Sequence, residues 1–296
     1  MKNITIGIPA YNEEANIKRL ISSVLKQDFT NLKLDKIIIS SDGSTDKTVA
    51  VAKSFKNKKI VIINNKDRKG IARGLNQIIS KSKSEILVTL DADITISDNN
   101  FIQKLVSPIL NNSASLTSSA IAEKMPKTFY GKILFVSMLL KENLFKAINN
   151  GNNIYTCHGL ARAYSKKFYQ GLTFPASVGN DMYSYLKCVN ENLIYKYTES
   201  AIAWYKVPEN YLDHKKQSTR FFNTIEEQTK YFKKSFVTKQ TQITRNDYLN
   251  GFYKSIPILV SFPIHSLSYF VLQIYMRLKS NFVSSDEAWS IATSTK

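Results

Sequence analysis

The chain has 296 residues, 43% hydrophobic and 22% charged, with only two cysteines, Cys157 and Cys188. That excludes a disordered or fibrous chain, a disulfide scaffold and a cysteine-rich zinc module, and it suits a reducing compartment. Its 41 basic and 23 acidic residues leave a net charge of +18, spread evenly: residues 1–98 hold 17 basic and 11 acidic, and the other 198 hold 24 and 12. No basic stripe is set apart, which speaks against a nucleic-acid partner and leaves a phosphate-bearing substrate or an anionic membrane surface.

The first hundred residues alternate strand and helix. Ile4 to Ile8 is a short apolar strand, and Ile17, Leu20, Ile21, Val24 and Leu25 recur at helical spacing on a helix from Ala15 to Lys26. A second strand runs from Lys36 to Ser40, and Ser44 and Asp46 can cap a helix that reaches Phe55. Ile60 to Ile63 is the third strand, followed by a helix beside Gly70 that carries Ile71, Leu75, Ile78 and Ile79. Ile86 to Leu90 is the fourth. Such alternation implies a parallel sheet covered by helices on both faces, with the ligand crevice at the carboxyl ends of the strands. The loops that leave those ends are polar and rich in carboxylates. Neither Gly-x-Gly-x-x-Gly nor a P-loop follows strand one, so the usual phosphate cradles of dinucleotide and P-loop enzymes are missing.

Farther on, a helix is expected from Phe101 to Leu110 and an amphipathic one from Gly131 to Ile148, either packed in the core or lying on a membrane. Ile256 to Met276 is a 21-residue stretch free of Asp, Glu, Lys and Arg, long enough to cross a bilayer. Pro257, Pro263, His265 and Gln273 weaken insertion and keep an interfacial or buried segment open. No secretory signal is read at the amino terminus. The expected location is the cytoplasm, at the inner face of a membrane, held peripherally or by one C-terminal span.

Asp91 and Asp93, one residue apart just past an apolar strand, can converge on one cation, and oxygen-only ligands suit Mg²⁺ or Mn²⁺. Four stretches around them resemble the ordered motifs of the family 2 glycosyltransferases of GT-A fold. They are Ile8-Pro9-Ala10-Tyr11-Asn12-Glu13-Glu14, Ser41-Asp42-Gly43-Ser44-Thr45-Asp46, Lys69-Gly70-Ile71-Ala72-Arg73-Gly74-Leu75-Asn76 and Asp91-Ala92-Asp93. The resemblance implies a Rossmann-like, mostly parallel sheet flanked by helices, with a helical C-terminal extension. It implies that Pro9, Tyr11, Glu13, Asp42, Ser44 and Asp91 bind the nucleotide-sugar donor, with Lys69, Gly70 and Arg73 beside its diphosphate. Arg68 reads as a solvated surface charge.

Later motifs agree in part. Gly179-Asn180-Asp181 resembles the site whose aspartate deprotonates the acceptor, with Asn180 in place of a glutamate; Asp181 can also cap a helix over Met182 to Cys188, and the two roles are compatible. Gln217-Ser218-Thr219-Arg220-Phe221 resembles the family's Gln-x-x-Arg-Trp element, which implies acceptor or leaving-group contacts for Gln217 and Arg220. Of the histidines, His214 is a stronger candidate than His158 for a further metal ligand, and a structural role is open to both. The expected reaction is inverting transfer of a sugar from a UDP- or GDP-linked donor to an acceptor hydroxyl, lipid-linked acceptors included. The alternatives are a nucleotidyltransferase of similar fold and an idle nucleotide- or membrane-binding module. The expected organisation is a nucleotide-sugar half over residues 1–98, an acceptor half over 99–240 and a hydrophobic extension over 241–296.

Overall fold

A computed structural model describes residues 1–176, 179–215 and 224–280, with side chains up to residue 275. Seven strands form one mixed sheet: β1 Lys2–Ala10, β2 Leu32–Ser41, β3 Ile60–Asn64, β4 Ile86–Leu90, β5 Leu116–Lys124, β6 Ala161–Ser165 and β7 Tyr195–Lys206. Their spatial order is β3-β2-β1-β4-β6-β5-β7. The first four are parallel, as the alternation requires, whereas β6 runs antiparallel to both β4 and β5.

Helices α1 (Ile17–Leu25), α2 (Thr48–Lys53), α3 (Ile71–Lys81) and α4 (Phe101–Leu110) occupy the expected positions. The apolar stripe of α1, formed by Ile17, Leu20, Ile21 and Val24, is fully buried in one core with Ile4, Ile6 and Ile8 of β1. Burying that stripe, at roughly 1.5–3 kcal/mol per large side chain, is what holds an otherwise short helix to the sheet.

The direction change between β4 and β6 decides where the site lies. Leu90 pairs with Ala161, and the Asp91 N–H donates to the Leu160 carbonyl at 2.9 Å. The carboxyl end of β4 therefore lies beside the start of β6, and residues 157–161 join the loops at that edge.

The chain forms two compact units, one of residues 1–122 with 157–204, the other of residues 123–156 with 205–296. In the first, short α6 (Lys166–Tyr169) and α7 (Asn180–Asn190) complete the helical cover. The second is helical: α5 (Phe129–Ala147), a 3₁₀ turn (Ile148–Gly151), α8 (Thr224–Gln228), α9 (Lys234–Thr241), α10 (Arg245–Ser261) and α11 (Pro263–Ser280). A reciprocal capping box between Thr244 and Asp247 starts α10. It stops at Phe262, because the residue before a proline disfavours helical backbone and Pro263 suits the first turn of the next helix. The uncharged stretch from Ile256 to Met276 is thus divided between two helices. Among the described residues, no helix is long and apolar enough to cross a membrane.

Candidate active site

Every loop that leaves the parallel strands at their carboxyl ends is tied to its neighbour. After β1, Asn12 adopts a left-handed backbone (φ 52°), which asparagine tolerates well. Its N–H donates to Ser44 Oγ at 3.1 Å, and its side-chain carbonyl accepts the Thr45 N–H at 2.8 Å. Glu13, nearly buried, donates its N–H to Thr48 Oγ1 at 2.7 Å and accepts from Asn16 Nδ2 at 2.9 Å. Asp42 reaches across to the third loop: Oδ1 accepts the Lys69 N–H at 3.0 Å and Oδ2 the Gly70 N–H at 2.6 Å. The Lys69 N–H is shared with Oδ2 at 3.2 Å, so these charge-assisted bonds fix that loop while Oδ1 retains a lone pair for a ligand.

Gly43 permits this arrangement. Its φ is +73°, and a Cβ there would lie 2.7 Å from the Asp67 carbonyl carbon and 2.8 Å from the Arg68 nitrogen. Gly43→Ala is expected to cost at least about 1–2 kcal/mol from the left-handed backbone alone, more with the overlap, read as a lower urea midpoint.

Lys69 and Arg73 flank Asp67, at 3.5 and 3.7 Å, and contribute with Asn76 and Phe174 to an open cleft of about 480 Å³ along α3. Asn76 makes paired hydrogen bonds of 2.8 Å with the Phe174 carbonyl and N–H, so the asparagine of the third motif anchors the opposite wall. The Arg68 guanidinium lies 4.2 Å from the centre of the Tyr11 ring. Arg68 is exposed, as a surface charge is expected to be, and it also stacks on the Tyr11 ring.

The acidic centre lies where β4 meets β6. Asp91 and Asp93 follow β4, and Asp181 lies in the first turn of α7, which Gly179 introduces with φ 87°. Asp181 Oδ1 accepts the Met182 N–H at 2.9 Å. A Cβ built on Gly159 would stand 3.8 Å from Asp91 Oδ2 and 4.0 Å from Asp181 Oδ2. Two carboxylates ninety residues apart in sequence thus face one place, which the absent side chain of Gly159 leaves open. Burial and the charges of Asp93, Asp181 and Glu13 push the Asp91 carboxyl from 3.8 up to about 8, against the pull of Arg162.

Arg162, on β6 opposite Thr89 and 1% exposed, is the cation of this centre. It donates to the Asn180 carbonyl at 3.1 Å and to Ser184 Oγ at 2.9 Å, and so locks the first turn of α7 to the sheet. Neither Arg162 nor Gly159 was a candidate from the sequence. A lone arginine in the strand Ala-Arg-Ala-Tyr-Ser was a usable signal, because a buried strand keeps a charge only against a partner. Gly159 offered none. His158 also belongs here: burial lowers it to about 4 although Asp181 acts to raise it. In the second unit, His214 pairs through Nδ1 with Tyr130 Oη at 2.6 Å, and burial lowers it to about 4. Gln217 and Arg220 lie outside the described residues.

The profile of the family described as Glycosyl transferase family 2 matches residues 5–172, more than half of the chain. The chain belongs to that family. A curated relative, the 4,4'-diaponeurosporenoate glycosyltransferase of Staphylococcus aureus (strain bovine RF122 / ET3-1), is 25% identical over 173 residues, 57% of this chain and 45% of that protein. The match therefore spans less than half the relative's length. Among solved structures, a mannosyltransferase from Pyrobaculum calidifontis in complex with GDP-Man and Mn²⁺ superposes with a TM-score of 0.61 at 15% identity, over 94% of this chain and 80% of that one. Residues 1–349 of S. aureus TarS with UDP give 0.57 at 16% identity, covering 97% and 77%. The glucosyl-3-phosphoglycerate synthase of Mycobacterium tuberculosis with Mn²⁺, UDP and phosphoglyceric acid gives 0.57 at 18%, covering 77% and 78%. These likenesses establish the GT-A fold, mixed sheet and flanking helices included.

Family 2 members of this fold raise the matter of a metal, and the acidic centre fits a divalent one. Its carboxylate donors are oxygens, which suits Mg²⁺ or Mn²⁺. Burial first, and then the charges of Asp93, Asp181 and Glu13 against the pull of Arg162, disfavour ionised Asp91, a cost that a bound cation would offset. Among the described residues, no group of three or more His, Cys, Asp or Glu side chains is placed to hold a metal ion by itself. The folded metal-free protein holds a proton on Asp91 that the unfolded chain releases near its ordinary 3.8. Its stability should therefore fall as pH rises from about 4 to about 8. Thermal melts in a chelator should show that decline, and Mn²⁺ with a nucleoside diphosphate should flatten it.

Proposed function

We propose that the chain transfers a sugar, with inversion, from a UDP- or GDP-linked donor to an acceptor hydroxyl. In this reading the polar loops after β1, β2 and β3 receive the nucleotide, with Pro9, Tyr11 and Ser44 lining it and Asp42 accepting from base or ribose. Lys69, Arg73 and the amino terminus of α3 beside Gly70 face the diphosphate. Asp91 and Asp93 would hold a divalent cation, which neutralises the departing diphosphate when bound. Asp181 takes the acceptor proton on Oδ2, the acceptor oxygen bonds to the anomeric carbon, and the bond from that carbon to the diphosphate breaks. The acceptor contacts are assigned to Gln217 and Arg220; the reading needs no ligand from His214.

The observation that carries it is the convergence of Asp91 and Asp181 over Gly159. A base and a leaving-group anchor must flank one carbon, and here two carboxylates flank one gap. The test is a panel of nucleotide sugars with and without Mn²⁺, scored by thermal shift and then by product. One donor should raise the melting temperature in a metal-dependent way, because a ligand that binds only the folded state stabilises it. Its turnover should release nucleoside diphosphate. Pyrophosphate release would favour a nucleotidyltransferase, and no stabilisation by any donor would favour an idle module.

A further inference from the structure

The two long helices of the second unit are built inside out. Against α5, α10 buries Gly251 and Ser255, and Gly251 allows an approach so close that a Cβ there would lie 2.8 Å from Leu144 Cα. The other side of α10 carries Leu249, Tyr253, Ile256 and Val260, exposed by 46, 67, 42 and 74%. Helix α11 repeats the pattern: Ser266 is buried, while Ile264, Leu267, Val271 and Ile274 are exposed by 61–68%. Spacings of four, three and four residues on α10, and of three, four and three on α11, place each set on one helical stripe. In water an amphipathic helix buries its large apolar residues and exposes its small polar ones. Both helices do the reverse.

We propose that these stripes dock the protein in the plane of an anionic bilayer leaflet, as an interfacial surface and not as a span. The break at Phe262 and Pro263 excludes one continuous crossing helix here. Charge selects the lipid surface over a second copy of the chain. From Lys230 to Ser280 there are eight basic residues and one acidic, Asp247. Two such faces would repel each other, whereas acidic head groups attract them. An apolar stripe with basic flanks is the pattern that lies in the head-group layer. The surface belongs to the second unit and does not depend on what the first unit transfers.

Flotation of the full chain with phosphatidylcholine vesicles, with and without phosphatidylglycerol, tests this. Binding is expected with phosphatidylglycerol and should fall at high salt. Leu267→Glu combined with Val271→Glu changes only exposed positions, so melting temperature and donor binding should hold. Vesicle binding should drop by about 100-fold or more, since each change removes buried methylenes and adds a charge the head groups repel. Wild-type protein that stays off both vesicle types, or a double variant that binds as well as wild type, overturns the proposal. Concentration-dependent dimers that the double variant abolishes, without flotation, would assign the stripes to a second copy instead.

Discussion

Asp181→Asn is expected to lower turnover by about 10²- to 10⁴-fold while leaving donor binding within a few-fold of wild type. The change is nearly isosteric and keeps a side-chain oxygen able to accept the Met182 N–H. What it removes, in the proposed reaction, is the capacity to take a proton from the acceptor. The donor loops, held by Asp42, Asn12 and Glu13, do not contain Asp181 and should stay in place. Isothermal titration with the donor and a nucleoside diphosphate release assay separate the two quantities. Equal turnover would remove Asp181 from the chemistry and leave it the helix-terminal role that its place in the first turn of α7 also allows. Donor binding that fell in step with turnover would make it a binding residue instead.

The part of this site legible in the sequence is the part carried by local patterns. Parallel strands buried on both faces read as unbroken β-branched runs, so β1 to β4 and their loops could be placed before any coordinates. The antiparallel half could not. In β5, Thr117, Ser118 and Ser119 are completely buried, and two of the three hydroxyls find partners that no periodicity reports: Thr117 donates to the Leu105 carbonyl at 2.7 Å, and Ser118 meets Tyr195 Oη at 2.6 Å. A strand so polar in composition reads as loop. Arg162 and Gly159 were missed for a related reason, because what they do depends on the β4–β6 pairing, a long-range fact. The helical second unit shows the opposite failure. Apolar periodicity located α5, and the lack of charge marked the stretch from Ile256 to Met276, yet neither could say which side of a helix faces protein, and α10 and α11 invert the usual choice.

Removing the buried cation should have the second large effect, and its pH dependence separates charge from packing. Arg162→Met preserves much of the side-chain length but deletes the bonds to Asn180 and Ser184 and the positive charge that opposes Asp93, Asp181 and Glu13 around Asp91. Deleting one member of a buried ionic cluster typically costs about 3–5 kcal/mol, because the remaining charges are left uncompensated. Arg162 pulls the Asp91 carboxyl down, so its loss raises that group further and favours the protonated form. At pH 5 Asp91 is already protonated in the folded state, and the missing guanidinium leaves less charge unpaired. As pH rises through about 8, wild type ionises Asp91 against Arg162, whereas the variant must either hold the proton or bear the repulsion. Urea denaturation in a chelator should therefore show a deficit that widens from about pH 7 to about pH 9. Mn²⁺ with a nucleoside diphosphate should narrow it by returning positive charge to the cluster. A deficit of the same size at both pH values would reduce Arg162 to the strut between β6 and the first turn of α7.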